Sequence, residues 1–151
     1  MESDPNEATL SMSYLKFDRR LMANLDESTQ REYIRTNRKG AYCCSSIVGC
    51  NTRKYHGILV VPVPELSDNN HVLLSSLDLT IVQHGVPFNV GIHEYEGDVF
   101  SPKGHKYIRE YNVDIASSTT YRVGGVVLQK ELLFCHYTNR ILLRYTLLEQ
   151  H

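Results

Sequence analysis

From about Arg31 onward the chain is written almost entirely in a two-residue hydrophobic period. In "HVLLSSLDLTIVQHG", Leu77, Leu79 and Ile81 fall on one face of an extended segment and Asp78 and Thr80 on the other. Successive side chains of a strand point to opposite faces, so this alternation predicts half-buried antiparallel strands. The last third repeats it in "VVLQKELLFCHY" and "RILLRYTLLEQ". Turn residues stand between such runs: Gly124-Gly125, His84-Gly85 joining "DLTIVQ" to "VPFNV", and Thr138-Asn139 before the final strand. Hairpins without helix–strand alternation predict an all-β fold, an antiparallel sandwich or barrel.

The prolines agree with that reading. Pro62 and Pro64 close an aliphatic run, Pro87 opens another just past a turn, and Pro102 with Gly104 lies in the loop "SPKGHK". At most one short helix is expected, near the start, where Asp18 caps a turn carrying Leu21, Met22 and Leu25 on one side. Residues 1–12, with Pro5 and many polar groups, are expected to form a flexible tail, and residues 13–151 a single β-sandwich domain. No internal repeat, low-complexity tract or interdomain linker is visible.

A chain of 151 residues buries roughly 68–70% of the surface its unfolded form exposes, enough for one core. Sixteen basic residues against seventeen acidic ones leave a formal charge of -1, which gives no electrostatic footprint for nucleic acid or an anionic membrane. The first twenty residues contain acids and a proline and lack the apolar core of a signal peptide, and no segment is long enough to cross a bilayer. A cytoplasmic location is expected. The four cysteines, Cys43, Cys44, Cys50 and Cys135, are then expected to be small buried apolar residues, not a disulfide framework.

One segment breaks the monotony. In "GCNTRKYHGILVVPVPE", polar and cationic side chains from Asn51 to His56 stand against an aliphatic run. A strand beginning near Lys54 sends Lys54, His56, Ile58 and Val60 to one face and Tyr55, Gly57, Leu59 and Val61 to the other. Gly57 within such a strand suggests a close approach by a backbone, a ring or a ligand, or an aromatic such as Tyr55 folded over the gap.

The wider span "REYIRTNRKGAYCCSSIVGCNTRKYHGILV" resembles the N-terminal domain of bacterial and archaeal glycogen debranching enzymes of the amylo-α-1,6-glucosidase type. The residues that carry the resemblance are Glu32 and Tyr33, Thr36 and Asn37, Gly40 and Tyr42, and Thr52 through Gly57 with Ile58 and Leu59. Looser matches follow at Leu73 and Leu74, at Pro102 and Gly104, and from Lys130 to Leu132. The likeness covers roughly residues 13 to 149, with its specificity in residues 32 to 59. One departure is visible: Arg38, Lys39 and Ala41 surround a single Gly40 where the family pattern is richer in glycine.

The resemblance implies a supersandwich, large and twisted, packed on a C-terminal (α/α)6 barrel that holds the catalytic acid and base. That barrel is expected to lie outside this chain. It also implies an α-glucan partner, either glycogen or a branched maltooligosaccharide, and substrate-binding roles for Asn37, Tyr42, Thr52, Arg53, Tyr55 and His56.

Catalytic chemistry within the chain itself finds little support. Glycoside hydrolysis ordinarily uses two carboxyl groups with opposed pKa values. Glu94, Glu96 and Asp98 in "HEYEGDVF" share a face if extended, the pattern of a solvated strand edge. The histidines and cysteines lack CxxC or HExxH spacing, no serine sits in a G-x-S-x-G elbow, and no metal or other cofactor is expected.

Recognition remains. A sugar offers hydroxyls that suit forked or planar partners and a ring face that stacks on aromatics. Arg53 suits vicinal hydroxyls, His56 a single hydroxyl, and Tyr42 or Tyr55 a bounding face. Alternatively Arg53 is structural, tied to a carboxylate such as Asp78. The expected function is therefore a non-catalytic glucan-facing domain; the alternatives are a free-standing carbohydrate-binding module and a structural or interaction domain.

Overall fold

The computed structural model describes residues 14–151, so the expected tail over residues 1–12 lies outside the described residues. In chain order the first strands are β1 (Leu15–Asp18), β2 (Glu32–Thr36), β3 (Tyr42–Ser46), β4 (Gly57–Pro62) and β5 (Asn70–Leu74). Two hairpins follow, β6 (Thr80–Gln83) with β7 (Val86–Asn89), and β8 (His93–Tyr95) with β9 (Val99–Ser101). The chain closes with β10 (Ile108–Val113), β11 (Ser117–Val123), β12 (Val126–Phe134) and β13 (Ile141–Glu149).

Every strand pairing is antiparallel. A five-stranded sheet runs β1-β10-β11-β12-β13 and a four-stranded sheet runs β2-β3-β4-β5. The sequence-predicted turns fall between strands: Gly124-Gly125 joins β11 to β12, and residues 135–140, which contain Thr138-Asn139, join β12 to β13. His84 and Gly85 both have left-handed backbone, φ 49° and 78°, the type I′ geometry that matches the twist of a two-residue hairpin.

The sheets pack face to face through apolar side chains. Cys43, Ile58 and Val61 of the four-stranded sheet meet Leu132 and Phe134 of β12. A second cluster joins Ile47, Val48 and Cys50 to Ile108, Tyr111, Tyr121 and Val123, with Ile81, Val90 and Ile92 filling from the hairpins. The result is an all-β, sandwich-like architecture.

Asp18 caps α1 (Arg19–Ala23) as its sequence position suggests, its Oδ1 accepting from the Arg20 and Leu21 N–H groups at 3.0 and 3.2 Å. That satisfies donors that have no partner inside the helix, and it drives Met22 fully into the core. A second single-turn helix, α2 (Leu25–Ser28), follows Asn24 where only one helix was expected.

Two strand expectations are corrected. The run from His71 to Gln83 is not continuous: β5 ends at Leu74, β6 starts at Thr80, and Leu77 is exposed while Leu79 and Ile81 turn inward. The Asn51 side-chain amide takes the Ser75 carbonyl at 2.8 Å, a local alternative to a ladder bond. The second correction concerns the polar motif. β4 begins at Gly57, not near Lys54, and residues 51–56 form a loop. Within β4 an irregularity in the pairing with β3 shifts the register between Gly57 and Val60. Ile58 and Val61 thereby share the core-facing side, in place of the expected pairing of Ile58 with Val60.

Gly57 is explained by the same irregularity. A Cβ there would stand 2.9 Å from Val60 Cγ2 and 3.0 Å from Val72 Cγ1, so two valines occupy the space and no aromatic folds over it.

Candidate functional site

Register fixes which side chains of β2 and β3 share a face. Glu32 pairs with Ser46, Ile34 with Cys44 and Thr36 with Tyr42, so these six point the same way. Their alternates, Tyr33 and Cys43, enter the sandwich core. The "NTRKYH" loop therefore covers the outer face, where its residues reach Glu32, Cys44 and Tyr42. This explains why β3 is buried on both sides.

The loop is anchored at each end. Gly49, at φ 82°, turns the chain, and the Ser46 hydroxyl donates to Cys50 O at 2.6 Å and accepts from Cys50 N–H at 3.0 Å. Asn51 accepts from the Ser45 hydroxyl at 2.8 Å. The His56 N–H donates to Arg53 O at 3.0 Å, closing a turn that throws Lys54 and Tyr55 outward.

His56 is buried, with 3% of its surface exposed. Its Nδ1 accepts from the Thr52 N–H at 3.1 Å. The ring proton is thereby assigned to Nε2, which faces Glu32 Oε1 at 3.2 Å. The same carboxylate oxygen accepts from Arg53 Nε. Glu32 is the hub: one oxygen holds a buried imidazole and a half-exposed guanidinium. That hydrogen bond and the carboxylate's charge raise the pKa of Arg53, fixing it as a cation. Nε of Arg53 is the nitrogen that bonds Glu32, and the Tyr55 side chain lies close enough to the guanidinium to add to the upward shift.

Tyr42 donates its hydroxyl to the Tyr55 carbonyl at 3.1 Å, and burial raises its pKa. The Tyr55 ring stands edge-on to His56, with centroids 5.4 Å apart, and is 49% exposed. Arg53 and Tyr55 thus form the outward layer, with Glu32, His56, Tyr42 and the Thr52 backbone beneath them.

Asn37 belongs elsewhere. It follows β2 at the end opposite Glu32, and its Oδ1 accepts from the Lys39 and Ala41 N–H groups, both at 2.9 Å. Its Nδ2 donates to Thr138 O and Asn139 Oδ1 at 3.1 and 2.9 Å. An amide committed on both sides is an Asx turn that staples the 37–41 loop to the β12–β13 loop. Nor does Arg53 reach Asp78, which takes His93 at 2.8 Å instead. In the sequence Glu32 stands out only as part of the family pattern, not as a site residue. The available signal was a cationic loop against a strand with one acid on its outward face.

Glu32, Cys44 and His56 present ligand-type atoms within 4.8 Å of one another. A metal on Nε2 would need a lone pair where His56 carries its proton, and the opposite tautomer would set two donors, Nδ1–H and the Thr52 N–H, against each other. Arg53 already neutralises the carboxylate. The donor set fits a hydrogen-bonded cluster, not a metal. Burial and the Glu32 charge push the Cys44 thiol up, away from the thiolate a nucleophile needs.

The acidic trio is no better placed for chemistry. Glu94 lies on β8, whereas Gly97 and Asp98 turn the hairpin with φ of 84° and 57°. The three side chains therefore do not share the face expected of an extended segment, and all are exposed.

Fold and cluster together define an all-β sandwich protein whose most organised polar surface is a fixed array of hydrogen-bonding groups. The chain matches the family model described as "Glycogen debranching enzyme N terminal" over residues 31–151. It belongs to that family. Neither a curated protein nor a solved structure matches it significantly. Among the described residues no helix is long and apolar enough to cross a membrane.

Proposed function

We propose that this chain is the non-catalytic, substrate-facing domain of a cytoplasmic glycogen-debranching hydrolase of the amylo-α-1,6-glucosidase type. It lines the glucan cleft and packs on a C-terminal catalytic (α/α)6 domain that supplies the acid and base. Family membership supports the enzyme context. The observation that carries the site is the outward presentation of Arg53, gripped from behind by Glu32.

A guanidinium held by Glu32 and flanked by Tyr55 keeps its plane fixed, so less rotamer entropy is lost when it meets vicinal hydroxyls. Tyr55 beside it offers a ring face for the apolar side of a pyranose. Tyr42, Thr52 and His56 act from beneath, by holding the loop. For Asn37 the saturated Asx turn favours a structural role instead.

Calorimetric titration of the chain with maltoheptaose tests this reading. The wild type is expected to bind weakly, Arg53→Ala to lose at least about tenfold in affinity, a cost of roughly 1.4 kcal/mol of binding, and both to melt alike. Equal isotherms for the two proteins would contradict it.

A further inference from the structure

The five-stranded sheet has a charged corner of its own, where β1, β10 and β11 meet α1. In β10, Ile108 pairs with Tyr121 of β11 and Glu110 with Thr120, so Arg109 is the extra residue of a bulge and has no register partner on β11 or on β1. A bulge leaves its extra residue outside the ladder and re-aims its side chain. Tyr121 and Val123 enter the core, which turns Arg122 between them to the outer face of β11. Arg19 opens α1 directly after Asp18, the register partner of Glu110, and α1 packs against β10.

Three guanidinium groups therefore approach one another from a helix, a bulge and a strand. None of them makes an ion pair among the described residues, and Arg109 Nε is sealed from solvent without an acceptor. Burial lowers the pKa of Arg109, the charges of Arg19 and Arg122 lower it further, and no carboxylate acts in the other direction. The acids of this corner are committed elsewhere. Asp18 caps α1 at 3.0 and 3.2 Å, while Glu110 takes Lys16 at 2.8 Å and the Asn112 amide at 3.1 Å. The turn Gly104–Tyr107 packs on the same helix and adds Lys106, with Lys103 just before it. A desolvated donor without an acceptor and like charges without a counter-charge both cost stability. A bound anion offsets both.

We propose that Arg19, Arg109 and Arg122 form a binding site for a phosphoryl group, carried either by inorganic phosphate or by a sugar phosphate. Three guanidinium groups call for an anion with more than one charge and more than two acceptor atoms. A phosphate monoester has about -1.5 to -2 charges and three acceptor oxygens, whereas a carboxylate has a single charge and two oxygens. Planar forked donors match phosphate oxygens in pairs. Because Nε of Arg109 is sealed, its terminal nitrogens make the contact. This site lies on the sheet that does not carry the "NTRKYH" loop, and it is independent of the reading given to that loop.

Calorimetric titration of the chain with inorganic phosphate and with glucose 6-phosphate, at an ionic strength held constant with chloride, tests this in wild type, Arg109→Met, Arg122→Gln and Arg144→Gln. Saturable one-to-one binding is expected in wild type and in Arg144→Gln, whose arginine is paired with Glu131, and is weakened at least about tenfold in the other two. The tighter of the two titrants identifies the form in which the phosphoryl group arrives. Without titrant, Arg109→Met should melt no lower than wild type, because it removes an unpartnered donor and a charge repelled by its neighbours; a lower melting point would show that charge to be satisfied within the fold and would contradict the proposal. Absence of saturable binding of either titrant to the folded wild type overturns it. So does binding that survives in both Arg109→Met and Arg122→Gln, or that falls equally in Arg144→Gln, which would mean a diffuse attraction to surface charge.

Discussion

Glu32 does two jobs with one oxygen, and substitution can separate them. A glutamine keeps an acceptor for the buried His56 Nε2–H, whereas an alanine leaves that donor without one. Glu32→Ala is expected to lose about 1–3 kcal/mol of stability, the cost of a buried donor stripped of its partner. Glu32→Gln should lose well under half as much, since exposed ion pairs contribute little. Urea unfolding of the two variants checks this; equal losses would mean that the His56 contact is immaterial. Residue chemistry of this kind was only partly legible in the sequence. The cluster of Arg53, Tyr55 and His56 was visible as a polar crowd. Its partner was not, because nothing local distinguishes Glu32 from Asp78 until β2 and β3 are in register.

At the scale of elements, hairpins were the most legible feature. Their turn residues, such as His84-Gly85 and Gly124-Gly125, are dictated by local backbone geometry. The onset of β4 was not legible, because the loop before it is held by contacts to Glu32, Tyr42 and Ser75 that are distant in sequence. The irregularity after Gly57 is likewise a property of two strands together.

Another close approach carries a prediction. A Cβ on Gly104 would fall 2.2 Å from the Val90 carbonyl carbon, and the Gly104 N–H donates to Gly91 O at 3.0 Å. Backbone cannot yield as a side-chain tip does, so Gly104→Ala is expected to cost about 1–3 kcal/mol or to misfold. A wild-type melting curve would contradict this.

The long β10–β13 meander also sets an acid limit. The hydrogen bond from Lys16 holds the Glu110 carboxyl below its ordinary value of 4.5, and the Arg144 guanidinium does the same for Glu131. A carboxyl whose folded-state pKa is depressed adds stability that is complete above its unfolded-state pKa. It is lost as pH falls below about 4.5 through the lower folded value. Replacing both acids with glutamine should flatten the decline of stability with acid over that range. An unchanged acid limb in denaturant titrations would assign the decline to other groups.

For the molecule as a whole, the two sheets have distinct tasks. The five-stranded sheet closes the core, while the four-stranded sheet holds the "NTRKYH" loop on its outer face. Strand alternation in the sequence was enough to indicate an antiparallel all-β protein. It was silent on which face the loop would cover, because that depends on the pairing of β2 with β3. The central claim is that this covered face is where an α-glucan is met. The most direct test is an amide chemical-shift map of the chain titrated with maltoheptaose. The account predicts saturable shifts concentrated at Glu32, Cys44 and residues 52–56, and absent in Arg53→Ala. Shifts centred on any other surface, or none at saturating sugar, would contradict it.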